Sequence, residues 1–391
     1  MPHPIGGISE AEVKAKADAA WPEILEKATN WKPAKTELPP QKPPYPAETF
    51  KFKGTAESVS QLYFEKGWSL GLPINPPTPE AVEAMLKGTS RKPDEILGKV
   101  GPRDSNLTVE LVAVNAVMAG CKPEYMPVLI AAIEGLLEPK ANWNGLNTST
   151  GSLGFLVIVN GPIAKEVGIT AGQGAVGAEQ YANATIGYAI NLISDVVGGS
   201  RPGTGDMTTF GAPHEFVAWV FAENEDQLPK GWTPYHVGKG FKATDSVVTV
   251  MGVYPGVDHV DHGATTMDGY LAGWKTVRGG GGCFRSNGAT ITQAIVFGPE
   301  LAKFAVEKGL DRDGFRQAFW EASKIPYSEI DACVPKSQVE PLFGAVGPDT
   351  LIPITDKPET LHFFVGGGAG KHSHIFTGFQ ADSIVSKLVT K

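Results

Sequence analysis

Two stretches of the chain, GFLVIVNGPIAKEVGI (154–169) and TQAIVFGPELAKFAVEKGL (292–310), are built alike. Each is a short apolar run, closed by Gly-Pro, that opens into a segment carrying Ala-Lys. A short apolar run bounded by such turn signals fits a strand buried on both faces. Proline then suits the first turn of a helix, where its missing N–H is no loss. Both stretches therefore predict strand, turn and helix, the unit of an α/β fold. The Gly-Pro pairs start at 161 and 298, an offset of 298 − 161 = 137. At that offset Cys121 falls opposite Asp258, and 145–150 opposite 282–287. Read as a duplication, this predicts two related α/β lobes around a shared cleft.

The rest of the chain fits around these units. Val13, Ala17, Ala20, Trp21, Ile24 and Leu25 recur at helical spacing, and Ser9 with Glu12 forms a capping-box pattern. A proline-rich strap follows at 32–48. The expected division is an N-terminal helix and proline-rich arm over 1–50, a first lobe over 51–240 and a second over 241–391. The arm is expected to pack on the body or on a neighbouring subunit, which points to an oligomer. Strands are expected at 215–225 and 245–255. Helices are expected at 183–199 and 264–277, the latter with Thr265 and Asp268 in capping-box spacing, and a final helix from about 380. Residues 109–118 fit a helix or a buried strand.

Several functions are disfavoured. The net charge of −8 argues against a nucleic-acid partner, which usually needs a basic face. The three cysteines, Cys121, Cys283 and Cys333, lie far apart and form no CxxC pair, so a disulfide scaffold or zinc ribbon is not expected. No uninterrupted apolar run reaches about 18 residues and the N-terminus lacks a signal-peptide pattern, so a membrane partner is not expected and the cytoplasm is the expected setting.

Candidate chemistry falls in five places. Cys121 precedes a helix expected to start at Pro123, beside Lys122. That setting would lower its pKa and make it a nucleophile, redox centre or soft ligand. YPGVDHVDHGAT (254–265) crowds Asp258, His259, Asp261 and His262 into five positions. Imidazole and carboxylate suit a divalent metal of unstated identity, or acid–base work; on one helical turn Asp258, Asp261 and His262 would share a face. GGGGCFRSNG (279–288) offers Gly281, Gly282, Cys283, Arg285, Ser286 and Asn287 as an anion pocket. VGGGAGKHSH (365–374) adds Gly367, Gly368 and Lys371, but Val365 and His372 break the P-loop pattern, so no nucleotide cofactor is expected. GQGAVG (172–177) has dinucleotide-type spacing without a strand directly before it. Asn160, at the end of a strand, is a further catalytic candidate, since α/β enzymes keep their sites there. Asn183, Asp206 and Glu223–Asn224 are further polar residues of the same kind, each fitting a cap or turn, and GGSRPGTG (198–205) is another glycine cluster.

GWSLGLPINPPTPEAVEAML, NAVMAGCKPEYMPV, NGPIAKEVGI, NATIGYAINLI and DSVVTV, in this order, resemble a bacterial family associated with small proteins that carry a Cys (or selenocysteine)-Gly-Ser-Cys motif. The resemblance covers roughly residues 60–380. It implies the large subunit of a two-component thiol redox enzyme, with a small thiol protein as partner, and carries over Cys121 and its surrounding motif. The chain itself lacks Cys-Gly-Ser-Cys. The residues alone point to a small-molecule enzyme with an inter-lobe site, a thiol- or metal-dependent lyase or hydrolase acting on an anionic substrate. A non-catalytic partner subunit is the other reading.

Overall fold

The computed structural model describes residues 9–30, 45–177, 180–273 and 291–390. The chain divides into two units, Met1–Lys42 and Pro43–Lys391. In the first, α1 (Glu10–Asn30) opens with the expected reciprocal cap: Ser9 N–H donates to Glu12 Oε2 at 3.0 Å, and Glu12 N–H to Ser9 Oγ at 3.4 Å. The helix buries none of its residues; Trp21 is 61% exposed.

The second unit opens with α2 (Ala56–Glu65) and α3 (Pro79–Leu86), then the hairpin of β1 (Ile96–Val100) and β2 (Ser105–Thr108). α4 (Val109–Ala119), α5 (Met126–Leu136) and the short α6 (Trp143–Asn147) lead to β3 (Gly154–Asn160). Next come α7 (Pro162–Glu166), α8 (Tyr181–Leu192), β4 (Trp219–Ala222), α9 (Tyr235–Gly238), β5 (Val247–Val253), β6 (Val257–Val260) and α10 (Met267–Gly273). β7 (Gln293–Phe297), α11 (Pro299–Glu307), α12 (Arg312–Ala322), β8 (Ile325–Pro326), α13 (Lys336–Phe343) and β9 (Leu351–Ile352) follow. β10 (Leu361–Val365), β11 (His372–Thr377) and β12 (Val385–Leu388) close the chain.

The two Gly-Pro stretches are β3–α7 and β7–α11, as their patterns predict. Gly161 is needed as glycine: its φ is +84°, and a Cβ there would stand 2.1 Å from the Asp245 carbonyl oxygen. Each strand is the second from one edge of a four-stranded sheet, in the orders β4-β3-β5-β12 and β10-β7-β11-β6. In both sheets the first pair is parallel and the next two pairings are antiparallel.

The fourth strands are exchanged. β6 follows β5 in sequence yet pairs with β11; β12 follows β11 yet pairs with β5. At the crossing, Tyr254 N–H donates to Thr377 O at 2.9 Å and Phe379 N–H to Gly252 O at 3.0 Å. One shift relates the two bonds: 379 − 254 = 377 − 252 = 125. The strand order thus repeats, but β6, which carries Asp258, corresponds to β12 and not to the segment around Cys121.

Side chains alternate across these strands and define the layers. Phe155, Val157 and Val159 of β3 join a core with α3, α4, α5 and α8. Ile295 and Phe297 of β7 join a second core with α10, α11 and α12. The opposite faces meet: Leu156 and Ile158 pack with Phe221, Met251, Val296, Phe364 and Phe376 in one cluster drawn from both sheets. The order is helices, sheet, sheet, helices, and packed apolar side chains lie between the sheets where a cleft was expected. β5, beyond residue 240, sits beside β3 in the first sheet. The segment expected as a final helix is β12, whose Val385 packs into the first core. Cys333 is disulfide-bonded, which the spacing of the cysteines did not suggest. Among the described residues no helix is long and apolar enough to cross a membrane.

Candidate active site

α8 packs Ile186, Ala189 and Ile190 into the first core and then widens. Ile193–Val197 is a π turn: Gly198 N–H donates to Ile193 O, five residues back, at 3.0 Å. Such turns recur at functional sites. Here the turn carries Asp195. The glycine cluster follows. Gly199 has φ +82°, a left-handed conformation that favours glycine. The loop then folds back, with the Arg201 carbonyl accepting from Thr204, Gly205 and Asp206 N–H, each at 3.0 Å. A short turn at Pro213–Glu215 presents a third carboxyl.

Asp195, Arg201, Asp206 and Glu215 line one cavity of about 420 Å³. Its apolar wall includes Phe64, Leu70, Leu146, Leu153, Phe155 and Phe216. The floor is tied down by hydrogen bonds. Ser194 Oγ donates to Asn147 Oδ1 at 2.6 Å and accepts from Trp143 Nε1 at 3.2 Å. Asn147 Nδ2 donates to Gly101 O at 2.7 Å, and Ser200 Oγ to Asn147 O at 2.9 Å. Arg201 Nη2 donates to Ser69 O at 2.6 Å, which fixes the guanidinium at the cavity. Thr208 N–H donates to Asp206 Oδ1 at 2.9 Å, and Asn191 Nδ2 donates to His214 O at 3.0 Å beside Glu215.

The electrostatics are unusual for carboxylates. Burial pushes Asp195 up to about 8; Arg201 pulls it back in part, and Asp206 and Glu215 push it further. Burial, then Asp206, pushes Glu215 up to about 7. Burial also raises Asp206, while the Thr208 N–H opposes it. Two carboxyls poised near neutrality beside an arginine, in a cavity of ligand size, mark a candidate site for proton transfer.

Cys121, Asn160, the Asp and His residues of 258–262, Gly367, Gly368 and Lys371 lie elsewhere. Cys121 sits in the first core, 9% exposed, and burial pushes its thiol up to about 12, with the Thr185 hydroxyl only partly opposing. The thiolate argument therefore fails. Pro123–Tyr125 is a short 3₁₀ turn, α5 starts only at Met126, and the Lys122 ammonium stands 5.7 Å over the Tyr181 ring.

Asn160 is buried in an ion-pair network. Its Nδ2 donates to Glu223 Oε2 at 2.7 Å and Glu225 Oε1 at 2.9 Å, while Arg312 Nη2 donates to Glu223 Oε1 at 3.0 Å. Asn160 is thus a strut between strands and helix α12.

Asp258 and His259 belong to β6, and strand alternation sends them to opposite faces. Asp258 pairs with His374 in the ladder and accepts from His372 Nδ1 at 3.0 Å; the His262 ring stands 5.5 Å from the His372 ring. His259 lies opposite Ser373, whose face also carries Tyr270. Asp261 Oδ1 accepts from Ala264 N–H at 2.9 Å, a turn cap. The helical turn on which Asp258, Asp261 and His262 would share a face is absent; Val257–Val260 is a strand. Among the described residues no group of three or more His, Cys, Asp or Glu is placed to hold a metal.

Gly367 N–H donates to Ala171 O at 2.9 Å, and Gly368 packs on Gln173. Lys371 Nζ donates to Ala264 O at 2.5 Å. These three tie loops together and line none of the cavity described above. Gly281, Gly282, Cys283, Arg285, Ser286 and Asn287 lie outside the described residues.

In comparison with protein families, curated proteins and solved structures, the chain matches none. The site therefore rests on its own geometry. In the sequence GGSRPGTG was one of several glycine clusters and Asp206 one of several residues fitting a cap or turn; neither was a site candidate. Asp195 and Glu215 did not stand out: one ends an apolar helix and the other precedes an apolar strand, and neither spacing signals a pair.

Proposed function

We propose that the Pro43–Lys391 unit is an acid–base enzyme acting on a small molecule with an anionic group. The observation that carries the reading is the pairing of Asp195 and Glu215, raised to about 8 and about 7, in one cavity with Arg201. At neutral pH Asp195 is mostly the acid and Glu215 is about half ionised. Glu215 is then the base that takes a proton from the substrate, and Asp195 the acid that returns one to the departing or developing oxyanion. The Arg201 guanidinium, already oriented by Ser69, binds the substrate anion. Elimination, hydration and isomerisation next to a carboxylate all use this set. Cys121 takes no part.

Exchange of carbon-bound hydrogen for deuterium tests the reading whatever the product turns out to be. A panel of small carboxylic acids in D₂O, followed by NMR, is expected to include at least one whose α- or β-hydrogen exchanges. Asp195→Asn and Glu215→Gln are expected to slow that exchange at least 100-fold while circular dichroism is unchanged. The wild-type rate is expected to peak between pH 7 and 8, the window between the two raised values. Exchange that persists in both folded variants, or that no acid in the panel shows, would remove the assignment.

A further inference from the structure

A second cavity, of about 480 Å³, adjoins the first. Its lining includes Leu72, Val176, Pro213, Val217 and Trp219. Phe216 lines both cavities; so do neighbouring residues of two segments, Leu70 and Leu72 in one, Glu215 and Pro213 in the other. The same two stretches of backbone therefore flank both spaces.

The chemistry of the two differs sharply. The first holds three carboxyls and an arginine. The second has no charged lining residue apart from a titratable histidine, His214, which burial keeps neutral at physiological pH by pulling it down to about 4. Its amide, Asn183, is internally engaged: Nδ2 donates to Ala175 O at 2.9 Å and Val220 O at 2.8 Å, and Oδ1 accepts from Thr170 N–H at 3.0 Å. Two buried polar atoms of the lining, His214 Nε2 and Trp219 Nε1, have no hydrogen-bond partner among the described residues. The other lining side chains, Asn183 apart, are apolar, and apolar surface placed against them leaves water.

Three apolar side chains of the connecting segment 207–216 are uncovered. Met207, Phe210 and Phe216 are 57%, 94% and 48% exposed, so Phe216 stands between the cavities with no packed neighbour holding its whole ring. An apolar surface continuous with a polar reaction site selects a molecule with both characters.

We infer that the substrate is an amphipathic carboxylic acid, its carboxylate on Arg201 and its alkyl or aryl tail past Phe216 in the second cavity. This rests on the acid–base reading of the first cavity and adds the class of molecule it takes. The test is calorimetric titration of the full chain with straight-chain monocarboxylates from acetate to decanoate. Affinity is expected to rise about fourfold per methylene until the cavity is filled, then level off. Arg201→Ala is expected to weaken binding at every length. Val217→Trp and Ala184→Phe, which fill the cavity from different positions, are each expected to flatten the series.

A flat wild-type series that still depends on Arg201 overturns the tail site and leaves the acid–base site standing. A slope that stays as steep in both filling variants also overturns it, since the tails then lie elsewhere. Absence of binding at every length overturns the inference together with the reading beneath it.

Discussion

Asp195 shows how one buried carboxyl couples chemistry to stability. Its folded value, about 8, stands above the ordinary 3.8, so the folded chain holds a proton that the unfolded chain releases. The Asp195 contribution to stability is therefore greatest below about pH 4 and falls as pH rises through the window up to about 8, levelling once Asp195 has ionised. Glu215 adds a drop in the same direction, ending near pH 7. Asp195→Asn keeps the shape and removes the ionisation. It is expected to melt a few degrees above wild type at pH 9 and close to it at pH 4. A variant that gains as much at pH 4 as at pH 9 would contradict a carboxyl held protonated by its surroundings. The same burial logic separates Cys121 from its sequence pattern. A cysteine before a proline-initiated turn suggests a thiolate, but the pattern is silent on depth, and depth decides here.

Among the elements, the network of Asn160, Glu223 and Arg312 binds the first sheet to α12. Glu223 sits at the end of β4, 3% exposed, accepting from Asn160, Arg312 and the Tyr235 N–H. Arg312 also donates to the carbonyls of Thr233 and Phe363, the latter in β10 of the second sheet. Glu223→Ala leaves that guanidinium buried without its carboxylate. A loss of about 3–5 kcal/mol in urea denaturation is expected; a loss under about 1 kcal/mol would show that the carbonyls suffice. The strands around this network were legible because apolar runs with turn signals leave little choice. β6 was not: the clustered Asp and His residues suggested ligands, while the strand that separates them is set by pairing with β11, more than a hundred residues away. β12 failed similarly, since the short mixed sequence VSKL takes its form from the β5 edge.

At the scale of the whole molecule, the chain divides at 42–43. α1 is built locally, from its cap and the exposed pairs Lys14–Asp18 and Lys27–Glu23 at 2.7 and 2.6 Å. Exposed pairs of this kind contribute little. Removing residues 1–42 is expected to shift the melting temperature of the remainder by no more than about 2 °C, within the effect of about 1 kcal/mol on a domain of this size; a large drop in calorimetry would show that the arm is part of the cooperative fold. The repeated strand order was foreshadowed by the two Gly-Pro turns. The exchange of β6 and β12 was not, because sequence offset registers likeness between segments and not which edge each one joins.

The π turn at the end of α8 has a consequence for ancestry. A π turn accommodates one residue more than an α-helical turn while the helix before it keeps its packing. Gly198 reaches back five residues because of that surplus. Loss of one codon between positions 193 and 197 would restore ordinary helical winding. The downstream glycine loop would then rotate by about 100°, one residue's share of a 3.6-residue turn. Asp195 would part from Arg201, Asp206 and Glu215 with the sheets untouched. In a lineage carrying this fold, a single-codon length difference at that point would separate chains that keep the carboxyl pair from chains that have only the scaffold.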